Sequence, residues 1–181
     1  MTTIIKASKL SKKMHKGQTR KHGKEPYFSH PDAIAHRLIN LLKNDLSTGK
    51  ISKDEYKNII AAAYLHDVLE DTTMEEYELR RIMGDKITDL VVELTSEEEM
   101  KMGKAKYLSA KISSMSNQAR LIKFADREHN VSDLHSIKNQ AWARKYARET
   151  QYILTHAKFT PSNLERILIT SIKEKIGLLL K

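Results

Sequence analysis

Groups able to bind a cation and move a proton are concentrated where an apolar run ends in His66-Asp67-Val68-Leu69-Glu70-Asp71-Thr72. His66 and Glu70 are four apart, as are Asp67 and Asp71, so a continuous helix would stack each pair on one face, a turn apart. That would bring one imidazole and three carboxyl groups together beside a buried segment. Carboxylates that close repel one another unless protons or a cation neutralise them. Imidazole nitrogen combined with carboxylate oxygen suits a borderline divalent ion such as Mn²⁺, Fe²⁺ or Zn²⁺. The plainer alternative is a capped helix end with exposed acids.

Two further segments carry chemistry of the same kind. In Leu121-Ile122-Lys123-Phe124-Ala125-Asp126-Arg127-Glu128-His129-Asn130, Asp126 borders an apolar stripe of Leu121, Phe124 and Ala125, and a carboxylate on that edge needs a partner. The stretch Thr19-Arg20-Lys21-His22-Gly23-Lys24-Glu25-Pro26-Tyr27-Phe28-Ser29-His30-Pro31 is a basic loop leading to a histidine that opens a helix; its plain reading is a tail and a cap.

The elements that must hold these groups are helical. Among 181 residues there are only six glycines and three prolines, too few turn formers for a many-hairpin all-β chain or a low-complexity one. Helical spacing runs from His30-Pro31 through Ile34, Leu38, Leu41 and Leu42. Ser52 with Glu55, Thr73 with Glu76, and Ser162 with Glu165 read as capping boxes, and Gly84 as a helix stop. Further helices are expected over 87–95, 105–115, 118–134 and 140–157, giving about nine in all and an all-α, single-domain chain.

Composition narrows the function classes. The absence of cysteine excludes disulfide frameworks, thiolate zinc sites and cysteine nucleophiles. The longest apolar run, residues 59–65, is far too short to span a bilayer, so a soluble, cytoplasmic protein is expected. The net charge of +9 is unevenly laid out. Residues 1–24 hold eight Lys/Arg and no acid, residues 67–99 hold twelve acids against three bases, and residues 100–148 hold eleven bases against three acids. Such a layout is either a set of solvated helix faces with a basic tail or a field that attracts a polyanion, nucleic acid or a phosphate-rich small molecule.

The three segments, in this order, resemble the HD-domain superfamily, whose pattern is His, then His-Asp, then Asp around a divalent metal. They resemble most closely the hydrolase domain of RelA/SpoT-type enzymes and the stand-alone small alarmone hydrolases. The likeness rests on Arg20-Lys21, Gly23, Pro26-Tyr27 and His30-Pro31, on His66 to Thr72, on Ile122-Lys123-Phe124-Ala125-Asp126-Arg127 with His129-Asn130, and on Ala147-Arg148-Glu149-Thr150. It covers about residues 5–155, with a C-terminal helix expected at about 162–180.

The resemblance implies a single HD-domain helical bundle of about eight to ten helices over residues 1–181. It implies that His30, His66, Asp67 and Asp126 bind one divalent ion, usually Mn²⁺, and that Glu70 and Asp71 position or deprotonate the attacking water. It assigns Arg20 and Lys21 to the nucleotide base, Asn130 to the nucleotide, and Tyr146 or Arg148 to a further substrate contact. Lys123 and Arg127 would face phosphates or serve the fold, while Glu128, where leucine is usual, departs from the pattern. The remaining histidines, His15, His22, His36, His129, His135 and His156, read as surface or packing residues.

The expected activity is hydrolysis of the 3′-pyrophosphate of guanosine tetra- or pentaphosphate, ending an alarmone signal, without the synthetase and regulatory domains of the larger enzymes. One rival is an HD-type phosphohydrolase acting on another nucleotide, an adenine alarmone or NADPH. The other is a non-catalytic basic helical module that binds nucleic acid, against which the intact HD-x-x-ED stands, because carboxylates repel phosphate. No membrane partner is expected, and the oligomeric state is not encoded in any motif.

Overall fold

In the computed structural model, which describes residues 2–20, 24–96 and 103–181, the described residues contain ten α-helical segments, one 3₁₀ turn and no strand. The chain forms two compact units, residues 1–96 and 97–181.

The first unit contains α1 (Thr3–Met14), α2 (Ser29–Ser47), α3 (Lys53–Leu65), the single turn α4 (Val68–Asp71), α5 (Glu76–Met83) and α6 (Asp85–Leu94). α3 is its centre. Residues 59–66 are buried without interruption, and a helix apolar all round must be enclosed by others. It packs against α1, α2 and α6, with α5 against α6. Ser52 Oγ caps α3 by accepting from Glu55 N at 3.0 Å. α1 was not foreseen as a helix, because its lysines read as a basic tail. Its buried edge is narrow: Ala7, Ser11 and the following His15, four apart, are enclosed while the lysines face outward. Gly17, at φ +86°, then turns the chain.

Two local expectations are corrected here. The helix at Thr73–Glu76 starts later, at Glu76, and its capping box is Glu75 with Glu78. Thr72 is the reason: its hydroxyl donates to Val68 O at 2.6 Å and accepts from Met74 N at 3.1 Å, so the threonines close α4 instead of opening α5. The helix through the His66–Asp71 motif is also interrupted. α3 ends at Leu65, and Asp67, at φ −104° and ψ 0°, precedes a separate turn. Gly84, at φ +83°, ends α5 as expected and leads directly into α6.

The second unit contains α7 (Lys104–Ser114), α8 (Asn117–Ser132), a 3₁₀ turn (Leu134–Ser136), α9 (Gln140–His156) and α10 (Asn163–Leu180). α8 packs on α10, and α9 on α7 and α10. α8 stops short of Leu134, where Ser132 Oγ donates back to Glu128 O at 2.8 Å. The expected Ser162–Glu165 capping box is present. Glu165 also accepts from buried Arg120 Nε at 2.9 Å, tying the start of α10 to α8.

Candidate metal centre

His30 enters on the first turn of α2, where Pro31 is tolerated because the first helical N–H groups have no intrahelical acceptor. His66 follows the last residue of α3, and Asp67 the next position. Both imidazoles are almost fully enclosed. His66 Nδ1 lies 2.9 Å from Ala63 O, which only accepts, so Nδ1 carries the proton and the Nε2 lone pair is directed elsewhere. It faces Asp67 Oδ2 at 2.9 Å, and His30 Nε2 lies 3.7 Å from the same oxygen. The rings of His30 and His66 meet edge-on, with centroids 5.2 Å apart. A nitrogen lone pair and a carboxylate oxygen at that spacing require a proton or a cation between them. Two imidazole nitrogens and a carboxylate oxygen make a donor set suited to a borderline divalent ion.

The neighbouring acids are held by different means. Tyr27 OH donates towards Asp67 Oδ2 at 2.5 Å and Asp71 Oδ2 at 2.9 Å, one proton shared by two carboxylates. Burial and then the Asp67 and Asp71 charges push the Tyr27 phenol far above its ordinary range, so it stays protonated. Asp71 N donates to Asp67 O at 2.8 Å, which restores the one-turn spacing that the broken helix would have supplied. Glu70 is exposed and accepts from Ser96 N at 3.0 Å. The first unit therefore brings His30 and His66 onto one oxygen of Asp67, and Tyr27 links that oxygen to Asp71.

Asp126 is buried on α8, where Asn130 Nδ2 donates to Oδ1 at 2.6 Å and Lys123 Nζ lies 3.5 Å from Oδ2. Asn130 thus touches Asp126 within its own helix. Arg127, open between phosphate and a role in the fold, is buried: its guanidinium covers the Tyr146 ring at 5.1 Å and reaches Thr150 Oγ1 at 3.5 Å. Burial is the main cause of the raised pKa of the Tyr146 phenol. Glu128, the departure from the expected leucine, is buried beside Lys175 Nζ of α10 at 3.6 Å. Arg148 is exposed on α9. Arg20 is partly buried, its N–H donating to Glu25 O at 3.0 Å, and Lys21, like Gly23 of the same motif, lies outside the described residues.

Two residues near the centre had no role in the sequence reading beyond motif and packing. Tyr27 was recognisable only as part of Pro26-Tyr27. His15 is enclosed beneath the Tyr27 ring, with centroids 4.6 Å apart. Its spacing from Ala7 and Ser11 was the only available signal.

A family model described as HD domain matches residues 7–157. Curated relatives include the bifunctional (p)ppGpp synthase/hydrolase SpoT of Escherichia coli K12, 33% identical over 148 residues, covering 78% of this chain and 19% of the relative. Another is the guanosine-3′,5′-bis(diphosphate) 3′-pyrophosphohydrolase MESH1 of Xenopus tropicalis, 31% identical over 150 residues, covering 81% of this chain and 77% of the relative. The chain thus spans about a fifth of the length of the first of these. A solved structure described as a metazoan ortholog of SpoT that hydrolyses ppGpp and plays a role in starvation responses shares the fold. Its TM-score is 0.78 at 23% identity, covering 98% of this chain and 97% of that one.

Proposed function

The chain belongs to the HD-domain family, and from that premise we propose that it is a divalent-metal-dependent phosphohydrolase that removes the 3′-pyrophosphate of guanosine tetra- or pentaphosphate. The products are GDP or GTP and pyrophosphate. The observation that carries the reading is the convergence of His30 Nε2 and His66 Nε2 on Asp67 Oδ2. In this reading residues 1–181 act as one phosphohydrolase domain, and His30, His66 and Asp67, with Asp126 as the fourth ligand, hold one ion, Mn²⁺. A cytoplasmic location suits such a substrate, and among the described residues no helix is long and apolar enough to cross a membrane.

In hydrolysis, a water oxygen bonds to the phosphorus attached to the ribose 3′ oxygen, that P–O bond breaks, and the 3′ oxygen leaves with a proton. The metal, when bound, supplies Lewis acidity that eases deprotonation of water and offsets phosphoryl charge. The protein manages the protons and the orientation. Glu70 and Asp71 take the proton from the attacking water and return one to the departing oxygen. Arg20, Lys21, Asn130, Tyr146 and Arg148 are the proposed contacts to the nucleotide.

The test is to incubate purified protein with Mn²⁺ and a panel of guanosine tetraphosphate, its adenine counterpart, NADPH and a short RNA, and to resolve the products by chromatography. Consumption of the guanine nucleotide with release of GDP and pyrophosphate is the expected result. Turnover of NADPH or the adenine nucleotide alone would move the substrate assignment, and binding of RNA with no turnover of any nucleotide would overturn the enzyme reading.

A further inference from the structure

We propose that Tyr27, backed by His15 and Gln18, is a positioning residue that fixes the carboxylates of Asp67 and Asp71, at the two ends of α4, against each other. The proposal rests on the reading of His30, His66 and Asp67 as metal ligands.

The backbones of Asp67 and Asp71 are held a turn apart by Asp71 N donating to Asp67 O at 2.8 Å, but that bond does not orient the two carboxylates. Tyr27 OH does, lying 2.5 Å from Asp67 Oδ2 and 2.9 Å from Asp71 Oδ2. The Asp67 oxygen it reaches is the one the two histidines face. A hydrogen bond to a ligating carboxylate orients it and sets how it meets the ion.

Tyr27 is in turn fixed by a closed circuit. Its backbone N–H donates to Gln18 O at 2.9 Å. Gln18 Nε2 donates to Asp71 O at 2.7 Å, so the other end of that amide, Oε1, accepts from His15 Nδ1 at 2.7 Å. His15, only 3% exposed, lies against the Tyr27 ring at 4.6 Å with the planes inclined by 31°. Gln18 therefore touches the turn that follows α1, the backbone of Tyr27 and the end of α4 at once. The phenol cannot swing away from the aspartates without breaking one of these contacts.

The experiment measures the affinity for Mn²⁺ alone, by equilibrium dialysis, in the parent, Tyr27→Phe, Gln18→Leu, the double variant of these two and Asp67→Ala, with thermal melts on the same samples. Removing a partner of a metal ligand typically costs about 10- to 100-fold in metal affinity, and that is the loss expected for Tyr27→Phe, which keeps the ring on His15. Gln18→Leu should show a smaller loss, and the double variant less than the product of the two, because both act through one circuit. Lower melting temperatures with unchanged Mn²⁺ affinity in the folded variants would make the role purely structural and overturn the proposal. Should Tyr27→Phe not fold, unchanged affinity in Gln18→Leu would have the same force. If Asp67→Ala binds Mn²⁺ as the parent does, the metal-centre reading itself fails. If Asp67→Ala loses the ion and Tyr27→Phe does not, only the positioning role falls.

Discussion

At the scale of single residues, the acids proposed as ligand and as proton carriers differ in their contact with imidazole. Asp67 lies 2.9 Å from His66 and shares the Tyr27 phenol with Asp71, whereas the Glu70 carboxylate meets a backbone N–H. Asp71→Asn and Glu70→Gln keep size and hydrogen bonding but lose a basic oxygen. They should retain the metal while turnover falls about 100- to 10,000-fold, the usual contribution of a general acid or base. Asp126→Ala should lose both. Elemental analysis and turnover on the same preparations decide it, and loss of metal from the amide variants would move Glu70 and Asp71 into the coordination shell. The types and spacing of His66, Asp67, Glu70 and Asp71 were legible in the sequence because a fixed offset along one chain is itself a distance. The Tyr27 contacts were not, since they span forty and forty-four positions. The choice between phosphate and fold for Arg127 was left open in the sequence for the same reason: its partner, the Tyr146 ring, lies on another helix.

At the scale of elements, apolar spacing and capping pairs located most helices, while the interruptions depended on side chains that compete for backbone groups. Thr72 bonding to Val68 O displaced the expected start of α5, and Ser132 bonding to Glu128 O marks the early end of α8. α1 escaped because burying small residues leaves little hydrophobic signal. The helix-to-helix ties carry the stability predictions. Arg120 and Glu165 are both enclosed, and Arg120 also donates to Met115 O at 2.6 Å. Arg120→Met would leave Glu165 buried without its cation, a loss of about 3–5 kcal/mol in denaturant unfolding. A smaller change than about 1 kcal/mol would mean that Glu165 relaxes to water. In the first unit, Tyr64 OH donates to Asp32 Oδ1 at 3.0 Å, and burial together with that carboxylate pushes the phenol up to about 12. A phenol that holds its proton more tightly when folded contributes stability that is intact below the unfolded value near 10 and is lost as pH rises towards 12. Tyr64→Phe should therefore weaken the fall in denaturation midpoint across that window, and an unchanged slope would remove Tyr64 as its cause.

At the scale of the whole molecule, the family match at residues 7–157 runs through both compact units, and the division at residue 96 falls beside the change from the acidic stretch 67–99 to the basic stretch 100–148. Helical pattern reports which face of a segment is buried, not which helices enclose one another, so that change of charge did not by itself read as a boundary. A ligand that binds only the folded chain stabilises it by mass action, about 2.7 kcal/mol at roughly 100 times the dissociation constant. For a chain of this length that corresponds to a rise of about 5 to 10 °C in Tm. Mn²⁺ should produce it and a chelator should reverse it, whereas Mg²⁺, which prefers oxygen ligands and gives up its water reluctantly, should do less at a centre with two imidazoles. Asp67→Ala removes the carboxylate that both histidines face and should abolish the Mn²⁺ shift while keeping the unliganded fold. Equal shifts from Mn²⁺ and Mg²⁺ would count against imidazole ligation. An undiminished shift in Asp67→Ala would place the ion away from His30 and His66.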